Sequence, residues 1–391
     1  MADRVYLDWN ASAPLRPLAR AAMLAALDVA NASSVHAEGR SSRALVESAR
    51  IQVASLVGAR PRDVIFTSGG TEANALALSP GLRPAGTRET CGRLLISTIE
   101  HPSVRSGGRF PPDRVEDVPV DGHGVVDLAA LKRRLAALTA EGTKPLVSLM
   151  LANNETGVIQ PVREAAAMVH EAGGLLHVDA VQGPGRIVCD INELAADLLT
   201  LSAHKIGGPK GVGALVLRAD RVELGDPLLR GGGQERGRRA GTENVAGIVG
   251  FGAAAEAVVQ SAPAEAGRMA MLRERLEAGL RSATPDVMIF GLGAVRLPNT
   301  VLAGLPGMKA ETAVIALDLE GIAASAGAAC SSGKVQSSHV LAAMGVEPGL
   351  ARSSVRFSLG AMTAESEIDR AIEAWRRVSG SLLKSVKEIA A

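Results

Sequence analysis

Lys205 is the residue whose surroundings in this 391-residue chain most favour chemistry. It follows the short apolar run 197–201, which predicts a buried strand, and it precedes a break rich in glycine and proline. Ligands of open α/β sheets bind at the carboxyl ends of strands, and a lysine crowded by apolar neighbours loses its proton more readily. A neutral amine there can form a Schiff base. The alternative is an ordinary surface lysine on a loop. The residues around Lys205 must decide between this alternative and a Schiff-base lysine.

The turn 68–71 is a second candidate, because it joins a predicted buried strand at 64–67 to a helix that starts at Glu72. Free N–H groups at a helix start bind anions, and the Thr71 hydroxyl can donate beside them. The turn lacks the Gly-Lys-Ser/Thr of a Walker loop and the third spaced glycine of a dinucleotide site. It suits a single phosphate, with a tight turn that binds nothing as the alternative.

Polar side chains follow several further strands, at 93–98, 146–151 and 175–178. Helical spacing at 161–172 between strands predicts a strand, helix, strand repeat and a mostly parallel sheet. Because the carboxyl ends of parallel strands share one edge, their polar residues should meet there. The candidates are His101, Asn154, Asp179, Gln182, Ser202, His204 and Lys205.

Cys330 lies in a stretch of alanine, glycine and serine between a predicted strand at 322–325 and a helix near 338–344. A cysteine that only packs normally sits in an apolar run, so this setting favours an accessible, reactive thiol on a flexible loop. Cys91 and Cys189 lack such a setting and are predicted to be buried packing residues.

The composition indicates a globular enzyme, with 47% apolar and 21% charged residues. A net charge of +1 and 2% aromatic residues disfavour nucleic acid as a partner. Three widely spaced cysteines offer no metal motif or disulfide framework, which favours the cytoplasm. We expect no signal peptide and no stretch of about 20 apolar residues that could span a membrane.

The length predicts two domains. Two Ala-rich helices, one from near Asn244 and one at 264–282, place the boundary near residue 261. We expect a large domain at 16–260, and a smaller α+β domain formed by 1–15 and 261–391. Before that boundary, residues 230–244 form a loop dense in glycine and arginine, suited to an anion or to a neighbouring subunit.

A Schiff-base lysine, an acid beside a pyridine nitrogen and donors for a phosphate are what pyridoxal 5′-phosphate requires. With the loop cysteine added, the chain resembles the cysteine desulfurases of nitrogen fixation and iron–sulfur assembly. The matching motifs run along nearly the whole chain and include Asn31-Ala-Ser-Ser-Val-His, Thr67-Ser-Gly-Gly-Thr-Glu-Ala-Asn, Glu100-His-Pro, Asn153-Asn-Glu-Thr-Gly, Ser202-Ala-His-Lys, Arg239-Ala-Gly-Thr-Glu-Asn and Ala326-Gly-Ala-Ala-Cys. The resemblance implies an α/β, pyridoxal-phosphate aminotransferase-like fold (fold type I), with a mostly parallel seven-stranded sheet and a smaller α+β domain.

The resemblance also implies roles for individual residues. Lys205 is expected to be the Schiff-base lysine, Asp179 the partner of the pyridine nitrogen, Gln182 the partner of the phenolate oxygen, and His101 the ring that stacks on the cofactor. The phosphate is expected to be held by Gly70, Thr71, Ser202 and His204, and by Thr242 of the second subunit of a homodimer. Asn154 and Arg356 are expected to hold the substrate carboxylate. No metal is expected.

The implied reaction removes sulfur from L-cysteine, giving L-alanine and a persulfide on Cys330, which passes the sulfur to an iron–sulfur scaffold or another acceptor protein. A selenocysteine lyase, or another pyridoxal-phosphate lyase, is the nearest alternative. A non-catalytic interaction protein fits less well, because the set Lys205, Asp179, His101, Cys330 and Arg356 is intact. A nucleotide-binding module built on the turn 68–71 fits less well, because the turn lacks the lysine and acidic companions that such motifs need. Trp9 departs from the family pattern, which usually has asparagine there. The acceptor and the physiological role stay open.

Overall fold

The computed structural model of the chain describes residues 4–327, 330–331, 334–335 and 338–390, with the backbone alone at 330–331, 334–335 and 385–390. The strands are β1 Val5–Tyr6, β2 Val64–Thr67, β3 Leu82–Pro84, β4 Arg93–Ser97, β5 Val115–Val118, β6 Pro145–Met150, β7 Leu175–Asp179, β8 Leu198–Ser202, β9 Gly213–Leu217, β10 Val222–Leu224, β11 Met288–Ile289, β12 Thr300–Gly304, β13 Ile322–Ala323, β14 Ser325–Ala326, β15 Cys330–Ser331, β16 Lys334–Val335 and β17 Val355–Ser358. The helices are α1 Pro17–Ala25, α2 Ala37–Leu56, α3 Gly70–Ala77, α4 Pro102–Arg105, α5 Leu128–Ala140, α6 Val162–Glu171, α7 Val245–Ala283, α8 Ala310–Leu319, α9 His339–Ala343, α10 Pro348–Ala351 and α11 Glu365–Ala390.

A seven-stranded sheet in the order β2, β9, β8, β7, β6, β4, β5 forms the centre of the larger lobe. Strands β8, β7, β6, β4 and β5 run parallel to one another, and β9 runs antiparallel to both of its neighbours. The predicted mostly parallel seven-stranded sheet is thus confirmed. Because β6, β7 and β8 end at the same edge, the segments that follow them meet there.

Both faces of this sheet are covered, which explains why its strands are apolar throughout instead of alternating. Alternate residues contribute to two cores: Leu149 packs on the face that carries α2, α5, α6 and α7, whereas Leu146 packs on the face that carries α3. This layering makes the sheet a rigid support for the residues at its edge.

A second, antiparallel sheet in the order β11, β12, β17, β14 forms the smaller lobe with α8 and α11. The N-terminal β1 pairs in parallel with β13, and its Val5 and the following Leu7 lie in the core of this lobe. Trp375 of α11 is fully buried and meets the Phe357 ring of β17 edge to face, with centroids 6.0 Å apart. The lobe has the α+β character that the sequence predicts.

Helix α7 corrects the prediction of two separate helices, because it is continuous over 39 residues with Pro263 inside it. A proline inside a helix costs about 3 kcal/mol. Here Phe251 and Val258 pack in the core of the larger lobe and Leu272 and Leu276 in that of the smaller lobe. Burial at both ends offsets that cost. The boundary at residue 260 stays a prediction, and it falls within α7.

Within the part of the chain that the structure describes, α7 is also the one helix whose length and apolarity would suffice for a membrane span. This contradicts the expectation that the chain has no such stretch. More than half of the relevant window is buried against the protein core, which is typical of the core helix of a folded domain.

Candidate functional site

A cavity of about 310 Å³ opens at the carboxyl edge of the large sheet, where the smaller lobe meets it. Ten predicted residues line it: Gly70, Thr71, His101, Asn154, Asp179, Gln182, Ser202, His204, Lys205 and Arg356. These residues come from segments that are separated by up to nearly 290 positions in the sequence, so their meeting is a product of the fold. The volume lies within the usual range for small-molecule sites.

Two predicted residues are not among those that line the cavity. Thr242 is exposed on the surface of the chain, and its expected role lies in the site of a partner subunit, so it stays a prediction. The side chain of Cys330 lies outside the described residues. Its backbone belongs to β15, which pairs with β16. By contrast, the predicted packing roles of Cys91 and Cys189 are confirmed, since both are buried and burial raises the pKa of the Cys91 thiol to about 12.

Lys205 follows β8 in a short turn of 3₁₀ helix and points back towards the segment after β1. Its Nζ donates to the carbonyl oxygens of Asn10 at 2.6 Å and Ala11 at 2.9 Å. Burial, together with the nearby guanidinium groups of Arg186 and Arg356, lowers the pKa of Lys205 to about 7. A large fraction of this amine is therefore neutral at physiological pH, as nucleophilic or proton-transfer chemistry requires.

Asp179 ends β7 and is nearly buried. Its Oδ2 accepts from Asn74 Nδ2 at 2.8 Å and its Oδ1 from the Val181 amide at 3.1 Å. Asn74 Nδ2 also lies 2.9 Å from Ser103 Oγ, and Ser103 Oγ lies 2.8 Å from His101 Nδ1. A continuous chain of hydrogen bonds thus joins the carboxylate to the imidazole and fixes both.

The His101 ring is held in one orientation because its Nδ1 accepts from the Ser103 amide at 3.2 Å. That bond leaves the ring proton of the neutral form on Nε2. Burial lowers the pKa of His101, so the neutral ring is favoured. A neutral aromatic ring is suited to stacking on a flat cofactor.

Gln182 is held beside Lys205 by two partners. Its Nε2 donates to Asn10 O at 3.1 Å, and its Oε1 accepts a short bond from the buried Arg186 guanidinium. Burial lowers the pKa of Arg186 to about 10. The amide is thereby fixed at the cavity wall between a cation and a backbone carbonyl.

Arg356 projects from β17 of the smaller lobe into the same cavity. Its Nη2 donates to Asp8 Oδ1 at 2.8 Å and its Nη1 to Asn154 O at 3.0 Å, while its Nε is buried without a hydrogen-bond partner. The guanidinium group lines the cavity, and its planar fork is suited to binding an incoming carboxylate.

The glycine turn at the start of α3 forms part of the cavity wall. A Cβ on Gly70 would lie 3.0 Å from Val181 Cγ2, so the absence of a side chain keeps this wall open. The Ser68 amide is bound to Glu72 Oε2 at 2.8 Å, which holds the turn against the helix start. The first N–H groups of a helix have no partner within it and remain available to an anion.

Five residues that form or hold this site were not assigned a role from the sequence: Asp8, Asn10, Asn74, Ser103 and Arg186. Asn74 had a detectable signal, because it is a buried polar residue on a helical face otherwise formed by Ala73, Leu76 and Ala77. The others depend on contacts between distant segments. Among the described residues, no cluster of three or more His, Cys, Asp or Glu side chains is placed to hold a metal ion.

Trp9, where the sequence departs from the family pattern, is not among the residues that line the cavity. It is buried against Gly360, where a Cβ would come within 1.9 Å of the ring, and its Nε1 donates to Tyr6 O at 3.2 Å. The ring therefore packs between the N-terminal segment and the end of β17 without displacing a residue of the cavity.

Known proteins match the chain along nearly its full length. The profile of the aminotransferase class-V family matches residues 5–371. A cysteine desulfurase of Cereibacter sphaeroides is 43% identical over 378 residues, covering 95% of this chain and 94% of the relative. A cysteine desulfurase IscS of Dictyoglomus turgidum is 38% identical over 384 residues, covering 97% of this chain and 95% of the relative. The X-ray structure of a NifS-like protein from Rickettsia africae superposes with a TM-score of 0.86 at 34% identity, covering 97% of this chain and 100% of that chain. The chain therefore belongs to the aminotransferase class-V family and, within it, to the cysteine desulfurases.

Proposed function

We propose that this protein is a pyridoxal-phosphate-dependent cysteine desulfurase, which converts L-cysteine to L-alanine and retains the sulfur as a persulfide on Cys330. The observation that carries the proposal is the meeting of Lys205, Asp179 and Arg356 in one cavity. A half-buried amine whose pKa is near 7, a carboxylate held by two donors and a guanidinium group at the cavity wall are the three groups that this chemistry needs.

The donor set of the cavity fits pyridoxal 5′-phosphate. Asp179 is an acceptor-only group that would hold the pyridinium N–H, and the turn at Gly70 and Thr71 offers helix-start amides to the phosphate. Ser202 and His204 line the same end of the cavity, with the His204 Nδ1 3.3 Å from Ser12 Oγ. Asn74 Oδ1 is buried and has no hydrogen-bond partner. The site therefore contains a hydrogen-bond acceptor that protein atoms leave unused.

When bound, the cofactor withdraws electrons from the α-carbon of an amino acid and so makes its proton acidic. Lys205, as a neutral amine, then removes that proton. Arg356 binds the carboxylate of the amino acid and fixes its orientation, with Asn154 beside it. Cys330, as a thiolate, attacks the sulfur of the substrate: a new S–S bond forms, the C–S bond breaks, and the electron pair of that bond stays with the carbon fragment. The fragment takes up two protons, one of them returned to the α-carbon by Lys205, and leaves as alanine. Asp179 and His101 hold their positions through the hydrogen bonds of Asn74 and Ser103.

The pH dependence of cofactor uptake should report the state of Lys205. Only the neutral amine attacks a carbonyl carbon, and a pKa near 7 gives a neutral fraction of about 10% at pH 6 and about 90% at pH 8. We expect the rate at which the cofactor-free protein takes up pyridoxal 5′-phosphate to rise about ninefold from pH 6 to pH 8 and then to level off. Stopped-flow absorbance at saturating cofactor measures it. A rate that kept rising about tenfold per unit to pH 9 would show an ordinary lysine.

A direct assay tests the proposed activity. The purified protein, loaded with pyridoxal 5′-phosphate and supplied with L-cysteine and a thiol reductant, should release sulfide and alanine in equal amounts. The same assay with L-selenocysteine distinguishes the nearest alternative: a much higher kcat/KM for selenocysteine would identify a lyase for that amino acid. If no alanine forms from L-cysteine under these conditions, the proposed activity is wrong.

Three further elements of the proposal rest on the family resemblance. We propose that the protein forms a homodimer in which Thr242 completes the phosphate site of the partner, that a scaffold or other acceptor protein takes the persulfide sulfur, and that these steps occur in the cytoplasm. The exposure of Thr242 supports the first, since this side chain is available to another subunit.

A further inference from the structure

The segment that carries Cys330 begins next to Arg356 and ends at a turn that contacts Arg356. On the N-terminal side, Ser325 of β14 pairs directly with Arg356 of β17, and the Gly327 amide donates to Ser354 O at 2.8 Å. A Cβ on Gly327 would lie 2.2 Å from Ser354 Oγ, so only glycine allows this close approach. The entry to the segment is thus fixed on the strand that presents the guanidinium group.

On the C-terminal side, the buried Ser338 hydroxyl donates to Glu155 Oε2 at 2.6 Å. The Ser338 Oγ also accepts from the Leu341 amide at 3.0 Å and so caps α9. Glu155 is itself 4% exposed, and this hydroxyl is its side-chain partner among the described hydrogen bonds. The Glu155 carboxyl group therefore holds Ser338, the residue at which the Cys330 segment ends.

Glu155 lies in a turn, 153–157, that is held rigidly. Asn153 Oδ1 accepts from the amides of Glu155 at 2.9 Å and Thr156 at 3.0 Å, and Asn153 Nδ2 donates to Ile99 O at 3.2 Å. Gly157 has φ +77°, and a Cβ there would lie 2.9 Å from Thr300 Cβ. With its side chains and backbone fixed in this way, the turn moves as one unit.

The same turn contacts the carboxylate-binding residue, because Asn154 O accepts from Arg356 Nη1 at 3.0 Å. One stiff turn therefore touches both Arg356 and the end of the Cys330 segment, through two adjacent residues. Nothing in the proposed chemistry uses the Glu155 carboxyl itself, and it does not line the cavity.

We propose that Glu155 is a positioning residue. Through its hydrogen bond to Ser338 it sets the position, relative to Arg356, at which the Cys330 segment ends. It thereby aligns the thiol with a substrate whose carboxylate is bound by Arg356. The inference rests on the proposed function. It predicts a specific loss in the step in which Cys330 attacks sulfur, with cofactor uptake and substrate binding retained.

The test compares four variants with the wild type. Glu155→Ala removes the acceptor, Ser338→Ala removes the donor, the double variant removes both, and Glu155→Gln keeps an acceptor oxygen. Because burial raises the pKa of Glu155 to about 7, a neutral amide is a close replacement. Asp127→Ala is the matched control, since it also deletes an N-cap, that of α5, whose Asp127 Oδ1 accepts from the Ala130 amide at 2.9 Å.

We expect Glu155→Ala to lower kcat about tenfold, the size of one lost hydrogen bond to an ionisable group, with KM and cofactor absorbance within about twofold of wild type. Ser338→Ala should cause a similar loss, and the double variant should be no worse than either single variant. Glu155→Gln should recover to within about threefold, and Asp127→Ala should keep the wild-type kcat. The rate of Cys330 alkylation by iodoacetamide should change in the Glu155→Ala, Ser338→Ala and double variants, and should keep the wild-type value in Asp127→Ala.

The inference is overturned by an unchanged kcat in Glu155→Ala, by losses that multiply in the double variant, or by an equal loss in Glu155→Gln. It is also overturned if KM rises and cofactor absorbance falls as kcat falls, which is the result of a merely structural defect. If Glu155→Ala does not fold, Ser338→Ala and Glu155→Gln still decide between these outcomes. A wild-type protein without desulfurase activity would refute the proposed function instead.

Discussion

Replacing Lys205 by alanine is expected to lower sulfide release from L-cysteine by at least about 10³-fold, because the proposed proton-transfer base and cofactor attachment point are lost together. The structure gives this amine a half-buried position after β8, two carbonyl acceptors and a pKa of about 7. The visible spectrum of the cofactor-loaded protein should change as well, since the cofactor can no longer attach to the chain through this residue.

Lys210 provides the matched control, because it lies in the same glycine-rich segment and is exposed. Lys210→Ala should retain both the spectrum and the rate of the wild type. If Lys205→Ala kept the wild-type spectrum, or kept more than about a tenth of the rate, the role assigned to Lys205 would be incorrect.

Cys330→Ser is expected to cause the second large loss, again at least about 10³-fold in sulfide release, because a serine hydroxyl is a far weaker nucleophile towards sulfur than a thiolate. The segment that carries Cys330 is held at Gly327, which bonds to Ser354 near Arg356, and at Ser338, which bonds to Glu155. Mass spectrometry of the protein after a single turnover should find the extra sulfur on Cys330 in the wild type and on no residue of the variant.

A partial reaction separates the two variants. In D₂O, exchange of the α-proton of the bound amino acid depends on Lys205 and not on the thiol, so Cys330→Ser should retain exchange while Lys205→Ala loses it. Cys91→Ala serves as a cysteine control: this thiol is buried and burial raises its pKa to about 12, so it cannot act as a thiolate near neutral pH. Sulfide release by Cys330→Ser at the wild-type rate would contradict the nucleophile assignment.

Much of the larger lobe could be predicted because its strands are short apolar runs, each followed by polar residues. Asp179 and Lys205 were placed at one edge from that pattern alone, and both line the cavity. The direction of β9 and its place between β2 and β8 could not be predicted, because a strand buried on both faces looks the same whichever way it runs.

The hydrogen-bond partners within the site were harder to predict than the residues they hold. Asp8 binds Arg356 across 348 positions of the sequence, and Asn10 accepts from Lys205 through its backbone oxygen, which any residue type would supply. Such contacts depend on how the N-terminal segment lies between the two lobes. Periodicity and local turn signals contain no information about that arrangement.

The single helix at α7 was mispredicted for a related reason. Pro263 is a strong local signal to end a helix, and it outweighs the weaker apolar pattern on either side when the sequence is considered alone. In the folded chain Val259 and Pro263 are exposed, so water can solvate the carbonyl that loses its helical partner, while residues on both sides are held in separate cores. Tertiary packing thus overrides the local signal.

That helix also couples the stabilities of the two lobes. Because residues 245–258 complete one core and residues 269–280 the other, loss of either core exposes apolar surface on a helix that the other core still holds. Unfolding one lobe alone would leave half of α7 without tertiary support, and an isolated helical half of that length is marginal in water. The two lobes should therefore melt as one cooperative unit, and a substitution that weakens one lobe lowers the stability of the site between them.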